Sequence, residues 1–213
     1  MTNANPWSQQ LIGAQHHLAQ NDPVLAGLVS HFGDCRLAPH TNYYGELVSA
    51  IIGQQLSEKA GATIYKRFLT LFDDELPTPE QILATDTEAV RGIGCSYSKV
   101  GYMKDLAQHI VDGRLDLAHI ATLPDDIVIR QLVAVKGIGE WSAHMFMMFS
   151  LGRLDILPTG DLGIRKAMMN LYGLPELPKP PEMHKIALQN GWTPYQSVAS
   201  WYLWQSLDNQ PKP

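Results

Sequence analysis

Apolar side chains recur along this 213-residue chain at helical spacing. Leu47, Val48, Ile51 and Ile52 form one such stripe. Ala60, Ile64, Phe68 and Phe72 form a second, and Met103, Leu106, Ala107, Ile110 and Val111 a third. Val128, Leu132 and Val135 stand at i, i+4 and i+7, and Tyr195, Val198, Ala199, Tyr202 and Leu203 make a last stripe near the end. Each set falls on one face of a helix at about 100° per residue. Strand-like alternation is confined to Ile127–Leu132, which is short. The chain is therefore predicted to be all-α. Helix starts are written at Asp22-Pro23, where an N-cap precedes a proline, at Thr41-Asn42 and at Pro124-Asp125-Asp126. Pro77-Thr78-Pro79 breaks the pattern, with short helices expected from Glu80 to Leu83 and near Glu88. Pro175, Pro178, Pro180 and Pro181 read as a linker, before helices near Glu182 to Gln189 and Tyr195 to Leu207.

Composition narrows the class. An apolar content of 45% suffices for a sizeable core, and 17% charged residues is too few for a disordered chain. There is no apolar run of about 18 residues, so no membrane helix is expected. The opening Met1-Thr2-Asn3-Ala4-Asn5-Pro6 lacks the basic and apolar parts of a signal peptide. Cys35 and Cys95 are far apart and form no CxxC, which fits a reducing compartment and supplies no zinc or iron–sulfur ligand set. The histidines, among them the adjacent His16-His17 and the isolated His144, show no metal spacing. A net charge of −5 argues mildly against a nucleic-acid partner. It does not exclude one, because backbone N–H groups and helix N-termini also hold phosphates. Lys136, Arg165 and Lys166 supply local positive charge.

The stretch from Leu132 to Ala167 carries the chemistry. Val135-Lys136-Gly137-Ile138-Gly139 joins two apolar helices, the second starting near Glu140. The glycines permit φ > 0 and close backbone approach, and Ile138 can plug the space between the helices. The N–H groups at the second helix's start then face outward, at the positive end of its dipole. Gly92-Ile93-Gly94 copies this pattern superficially. It reads as a plain helix connection, because Cys95-Ser96-Tyr97 does not open a helix with an apolar plug. Downstream, Asp161 follows Pro158 and Gly160 and precedes a helix from Leu162 to Leu171. Local sequence reads it first as an N-cap; Asp155 is a rival acid on the loop before it. Trp204 lies nearly opposite the last apolar stripe and needs a second surface. Gln54-Gln55-Leu56-Ser57 interrupts an apolar helical pattern and reads locally as a polar helix junction.

Together, Lys136-Gly137-Ile138-Gly139 between helices and Leu157-Pro158-Thr159-Gly160-Asp161-Leu162-Gly163-Ile164-Arg165-Lys166 resemble the helix-hairpin-helix DNA glycosylases. The closest likeness is to the 3-methyladenine DNA glycosylase II family, in a short form without the extra N-terminal β domain. The resemblance runs from about Leu18 to Leu207. It departs from the endonuclease III branch, which carries a four-cysteine cluster.

That resemblance implies one glycosylase unit over 1–213, built as two helical lobes around a cleft. One lobe spans about 41–160 and carries the hairpin; the other is formed by about 1–40 and 161–213. It implies a monofunctional enzyme that hydrolyses the N-glycosidic bond of alkylated purines in double-stranded DNA. Asp161 matches the catalytic aspartate. Trp204 matches the base-stacking tryptophan, with Trp141, Tyr43 and Tyr44 as further pocket candidates and Trp192 a weaker one. Trp141 stands where bifunctional relatives have a lysine nucleophile. Lys136, Gly137, Ile138 and Gly139 are expected to hold DNA phosphate. The turn Gln54, Gln55, Leu56 and Ser57 is expected to supply the wedge that fills the flipped nucleotide's place, carried by Gln55 or Leu56. Backbone carbonyls of Val133, Val135 and Ile138 match a monovalent cation site (Na⁺ or K⁺); no cofactor is otherwise required. A monomer is expected, in the nucleoid of a bacterium or the nucleus of a eukaryote. The rival readings are a non-catalytic helix-hairpin-helix DNA-binding protein, which would not need Asp161, and a glycosylase for a different base lesion.

Overall fold

A computed structural model describes residues 6–208, and Met1–Asn5, where the signal-peptide reading falls, lie outside them. Among the described residues there are helices and no strand. Ile127–Leu132, the one stretch with strand-like alternation, lies inside a helix. The chain divides into two compact units, residues 1–39 with 147–213, and residues 40–146.

The first unit holds α1 (Pro6–Asn21), α2 (Pro23–Phe32), α10 (Leu162–Leu171), α11 (Pro180–Gln189) and α12 (Gln196–Asp208). Their apolar faces meet in one core that includes Leu18, Leu25, Ile164, Met168, Met183, Trp192, Val198, Tyr202 and Leu203. Trp192, the weaker pocket candidate, is thus core. Asp22 is an N-cap, as the sequence predicts, and more than that. Its Oδ1 accepts from the N–H groups of Val24 and Leu25 at 2.8 and 3.2 Å. Its Oδ2 accepts from Tyr172 Oη at 2.6 Å and from Trp192 Nε1 at 2.7 Å. A carboxylate only 1% exposed is tolerated because four donors replace its water. Pro180 and Pro181, read as linker, form the first turn of α11, where a missing N–H costs no helical bond.

The second unit holds α3 (Tyr43–Gly53), α4 (Glu58–Thr70), α5 (Pro79–Ala84), α6 (Thr87–Gly92), α7 (Tyr97–Val111) and α8 (Asp125–Val133). Val48, Ile51, Ile52, Phe68, Val100, Met103, Leu106, Val128 and Leu132 are buried in it. Val111, placed on the apolar stripe of α7, is instead exposed. Thr78 and Gln81 close a capping box at the head of α5. Gly92-Ile93-Gly94 is a connection, as expected: α6 stops at Gly92, and Ser96 caps α7 by accepting from Lys99 N–H at 3.3 Å.

α9 (Glu140–Phe149) runs through the division at 146/147. The sequence places this boundary near 160/161. The loop that follows α9 belongs with the first unit because α12 holds it. Ser197 Oγ donates to Arg153 O at 2.7 Å and accepts from Ile156 N–H at 3.0 Å. Ser197 N–H donates to Leu154 O at 2.9 Å.

Candidate active site and DNA-contact elements

Asp161 precedes α10 with an extended backbone, φ −77° and ψ 120°, the conformation of an N-cap. Its Oδ1 accepts from Ile164 N–H at 2.8 Å. The same oxygen accepts from Trp204 Nε1 at 3.0 Å. These two N–H donors fix its rotamer at the N-terminus of α10. The cap reading and the chemical reading are therefore compatible. The Trp204 ring stacks on Phe149 with centroids 5.9 Å apart and planes at 30°. Gly163 explains how the two side chains come so close. A Cβ there would lie 3.0 Å from Asp161 Oδ1 and 3.3 Å from Trp204 Cδ1. In sequence Gly163 appears only as one residue of the motif, with no role of its own. Its signal was a glycine in a first helical turn, which costs about 1 kcal/mol against alanine and so usually has a packing reason.

Asp155, the rival acid, has a structural task. Its Oδ1 accepts from Gln196 Nε2 at 2.9 Å and from Gln196 N–H at 3.4 Å, at the start of α12. Arg165 is likewise engaged, with Nε donating to Pro178 O at 2.9 Å. Lys166 is exposed.

In the second unit the hairpin has the expected build. Ile138 is buried between the helices, 5% exposed. Gly137 has φ +84°, and a Cβ there would run into the Tyr102 ring, so only glycine fits. Gly139 is different: a Cβ there would meet nothing within 4 Å. Its glycine leaves space on the outer side. Lys136 N–H is already bound, donating to Asp105 Oδ2 at 2.8 Å, and Ile138 N–H donates to Val135 O at 3.1 Å. The N–H groups of Gly137 and Gly139 have no acceptor among the described residues. The anion-binding set is thus narrower than the sequence suggests. The Lys136 side chain is exposed, with Nζ 3.7 Å from Asp105 Oδ1.

The candidate cation ligands lie at the end of α8 and in the turn after it. Carbonyls at a helix C-terminus carry the negative end of its dipole. Val135 O spends one lone pair on Ile138 N–H and has a second. The donor set therefore fits a monovalent cation in kind. Among the described residues no group of three or more His, Cys, Asp or Glu could hold a metal ion.

The turn after α3 is polar and mostly exposed. Gln55 has φ +58°, an uncommon left-handed conformation for a residue with a side chain. Gln55 and Leu56 are exposed at its tip. Ser57 is the N-cap of α4, its Oγ accepting from Ala60 N–H at 3.4 Å. Gln54 turns back on the protein: its Nε2 donates to Gly137 O at 2.7 Å.

Of the remaining pocket candidates, Trp141 is 49% exposed in the first turn of α9. Tyr43 packs edge-on against Phe146 at 5.7 Å. The Tyr44 hydroxyl is buried with no hydrogen-bond partner among the described residues, and burial, then the nearby Glu80, push its pKa up. The structure joins Trp204 to Asp161; Trp141, Tyr43 and Tyr44 belong to the other unit. Cys35 and Cys95 are buried free thiols, with burial pushing Cys35 up to about 12, so neither is a ready nucleophile.

A helical hairpin with two unspent glycine N–H groups, and a helix-capping carboxylate held by an indole, define a helix-hairpin-helix protein with a candidate acid. Comparison with known proteins agrees. Residues 48–194 match the HhH-GPD superfamily of base excision DNA repair proteins, and the chain belongs to that family. It is 33% identical over 201 residues to DNA-3-methyladenine glycosylase 1 of Schizosaccharomyces pombe, covering 92% of this chain and 87% of that one. Among solved structures it is similar to the DNA-3-methyladenine glycosidase of Bacillus halodurans, with TM-score 0.80 and 36% identity over 98% of this chain and 92% of that one. The S. pombe 3-methyladenine DNA glycosylase (Mag1), solved in complex with abasic DNA, gives TM-score 0.80 and 31% identity over 94% of this chain and all, 100%, of that one.

Proposed function

We propose that this protein is a monofunctional DNA glycosylase that hydrolyses the N-glycosidic bond of alkylated purines in duplex DNA and leaves an abasic site. The observation that carries this is the Asp161 carboxylate, fixed by Ile164 N–H and Trp204 Nε1 on one oxygen. The relatives' names, 3-methyladenine glycosylases, support the substrate class.

The chemistry needs little more. Alkylation at purine N3 or N7 makes the base a cation, and therefore a good neutral leaving group. As the glycosidic bond breaks, positive charge builds on the sugar. A preorganised carboxylate stabilises that charge, with donors holding it in place before the reaction. The base must first leave the stack. Gln55 and Leu56 stand at an exposed turn whose strained backbone suits a wedge. The N–H groups of Gly137 and Gly139 hold a phosphate, and a monovalent cation on the carbonyls of Val133, Val135 and Ile138 would add positive charge behind it. Trp204, beside Asp161, supplies aromatic surface suited to a cationic base. Trp141 has no amine, so no Schiff base forms at that position.

The test is direct. Incubation with methylated duplex DNA, followed by chromatography of the supernatant, should release 3-methyladenine or 7-methylguanine and leave unbroken strands with abasic sites. DNA that is bound but releases no base would reduce the protein to a binding module.

A further inference from the structure

Two elements of the second unit are read above as meeting DNA: the hairpin, and Gln55 and Leu56 at the tip of the turn after α3, while Gln54 itself turns back on the protein. Both are tied to one helix, α7. Lys99, Tyr102 and Asp105 recur at i, i+3 and i+6 on α7, along one side of it. Lys99 Nζ donates to Ile52 O at 2.7 Å and so holds the root of the turn. The Tyr102 ring lies against Gly137. Asp105 Oδ2 accepts Lys136 N–H at 2.8 Å. Behind Asp105 stands a buried histidine. His109 Nε2 lies 2.8 Å from Arg114 Nη1, which can only donate, so this nitrogen accepts. The proton therefore sits on Nδ1, 2.8 Å from Asp105 O. The hairpin thus has its own mount, independent of the turn.

Gln54 adds a direct hydrogen bond between turn and hairpin, Nε2 to Gly137 O at 2.7 Å. It spans 83 positions of sequence and immediately precedes the left-handed Gln55. We propose that Gln54 is a positioning residue. It fixes the register between the Gln55–Leu56 wedge and the phosphate-binding hairpin, so that insertion and phosphate grip occur together. This rests on the reading of those two elements given above. Non-specific duplex binding uses the hairpin and its α7 mount. Binding to a duplex with a flipped-out or missing base needs both elements in register. Loss of Gln54 should therefore separate the two.

Gln54→Met keeps length and volume and removes the donor. Gln54→Glu places a carboxylate against a carbonyl. Both variants, with melting curves to confirm the fold, are titrated with an undamaged duplex and with the same duplex carrying a tetrahydrofuran abasic analogue. A 2-aminopurine opposite the lesion reports insertion. Undamaged-duplex affinity should stay within about two-fold, because phosphate contacts are sequence- and lesion-blind. Abasic-duplex affinity should weaken about three- to ten-fold, the worth of one neutral hydrogen bond, with reduced 2-aminopurine signal. If Gln54→Glu fails to fold, Gln54→Met carries the test. A Gln54→Met variant equal to wild type on both duplexes overturns the proposal. So does equal loss on both, which would make Gln54 a hairpin stabiliser only. Gly139→Asp is measured alongside; if it leaves undamaged-duplex affinity intact, the hairpin reading itself falls and takes the coupling with it.

Discussion

Trp204 Nε1 and Asp161 Oδ1 are 3.0 Å apart, in a hydrogen bond between the last helix and the cap of α10. The indole is therefore engaged at its edge by the carboxylate and on its face by Phe149. It holds the acid as well as offering aromatic surface. The two roles separate by substitution. Trp204→Phe keeps a ring and removes the N–H, and should slow single-turnover excision by roughly ten-fold, about the worth of a hydrogen bond to a charged group. Affinity for an abasic duplex should barely change. Trp204→Ala should be worse on excision. If Trp204→Phe excises like wild type, the N–H is incidental to the acid.

The two hairpin glycines should respond differently. Gly137→Ala forces a side chain into the Tyr102 ring at φ +84° and should lower both melting temperature and duplex affinity. Gly139→Asp meets open space and should fold normally, yet lose duplex binding because its charge occupies the phosphate's approach. Equal melting losses in both would contradict the division of labour between them.

Asp22 should be a stability residue with no part in catalysis. Asp22→Ala removes a cap, worth about 1 kcal/mol, and strands Tyr172 Oη and Trp192 Nε1, each at about 1–3 kcal/mol. The expected loss, about 3–7 kcal/mol, is readable by denaturant titration. A loss below about 1 kcal/mol would mean the site relaxes or hydrates.

Alkaline pH should also destabilise the fold. Burial and then the Asp22 hydrogen bond push the Tyr172 hydroxyl above its ordinary value; burial does the same for Tyr202. A raised folded-state pKa keeps the neutral form when folded, while the unfolded phenol ionises near pH about 10. The contribution is thus full below that value and declines as pH rises toward the folded pKa. Melting temperature should fall progressively above about pH 10, and less steeply in Tyr172→Phe. An unchanged slope in that variant would remove Tyr172 from the account.

What could be read from the chain follows from how local each signal is. Asp161 as a cap, Gly137 in a tight turn and Ser96 closing off the second glycine pair all depend on neighbours within a few residues. Apolar periodicity likewise reveals each helix and its buried face. The bonds that assemble the site join distant positions: Trp204 to Asp161, Gln54 to Gly137, Tyr172 and Trp192 to Asp22. No periodicity encodes those. Asp155 shows the same limit, since its partner Gln196 lies on another helix. The grouping of the 153–156 loop with the first unit is non-local for the same reason, as Ser197 binds it from far along the chain.

Asp161→Asn separates the two roles of Asp161, charge stabilisation and helix cap. Ile164 N–H and Trp204 Nε1 bind the same oxygen, Oδ1, so the asparagine oxygen can keep them, and α10 should survive at a cost of at most about 1 kcal/mol. The negative charge is lost. Single-turnover excision of a methylated base should then fall on the order of 10²–10³-fold, the size of one lost preorganised contact. Equilibrium binding to the same duplex, with circular dichroism confirming the fold, should stay near wild type. A folded Asp161→Asn protein that excises within a few-fold of wild type would leave Asp161 a helix cap only, with no part in charge stabilisation.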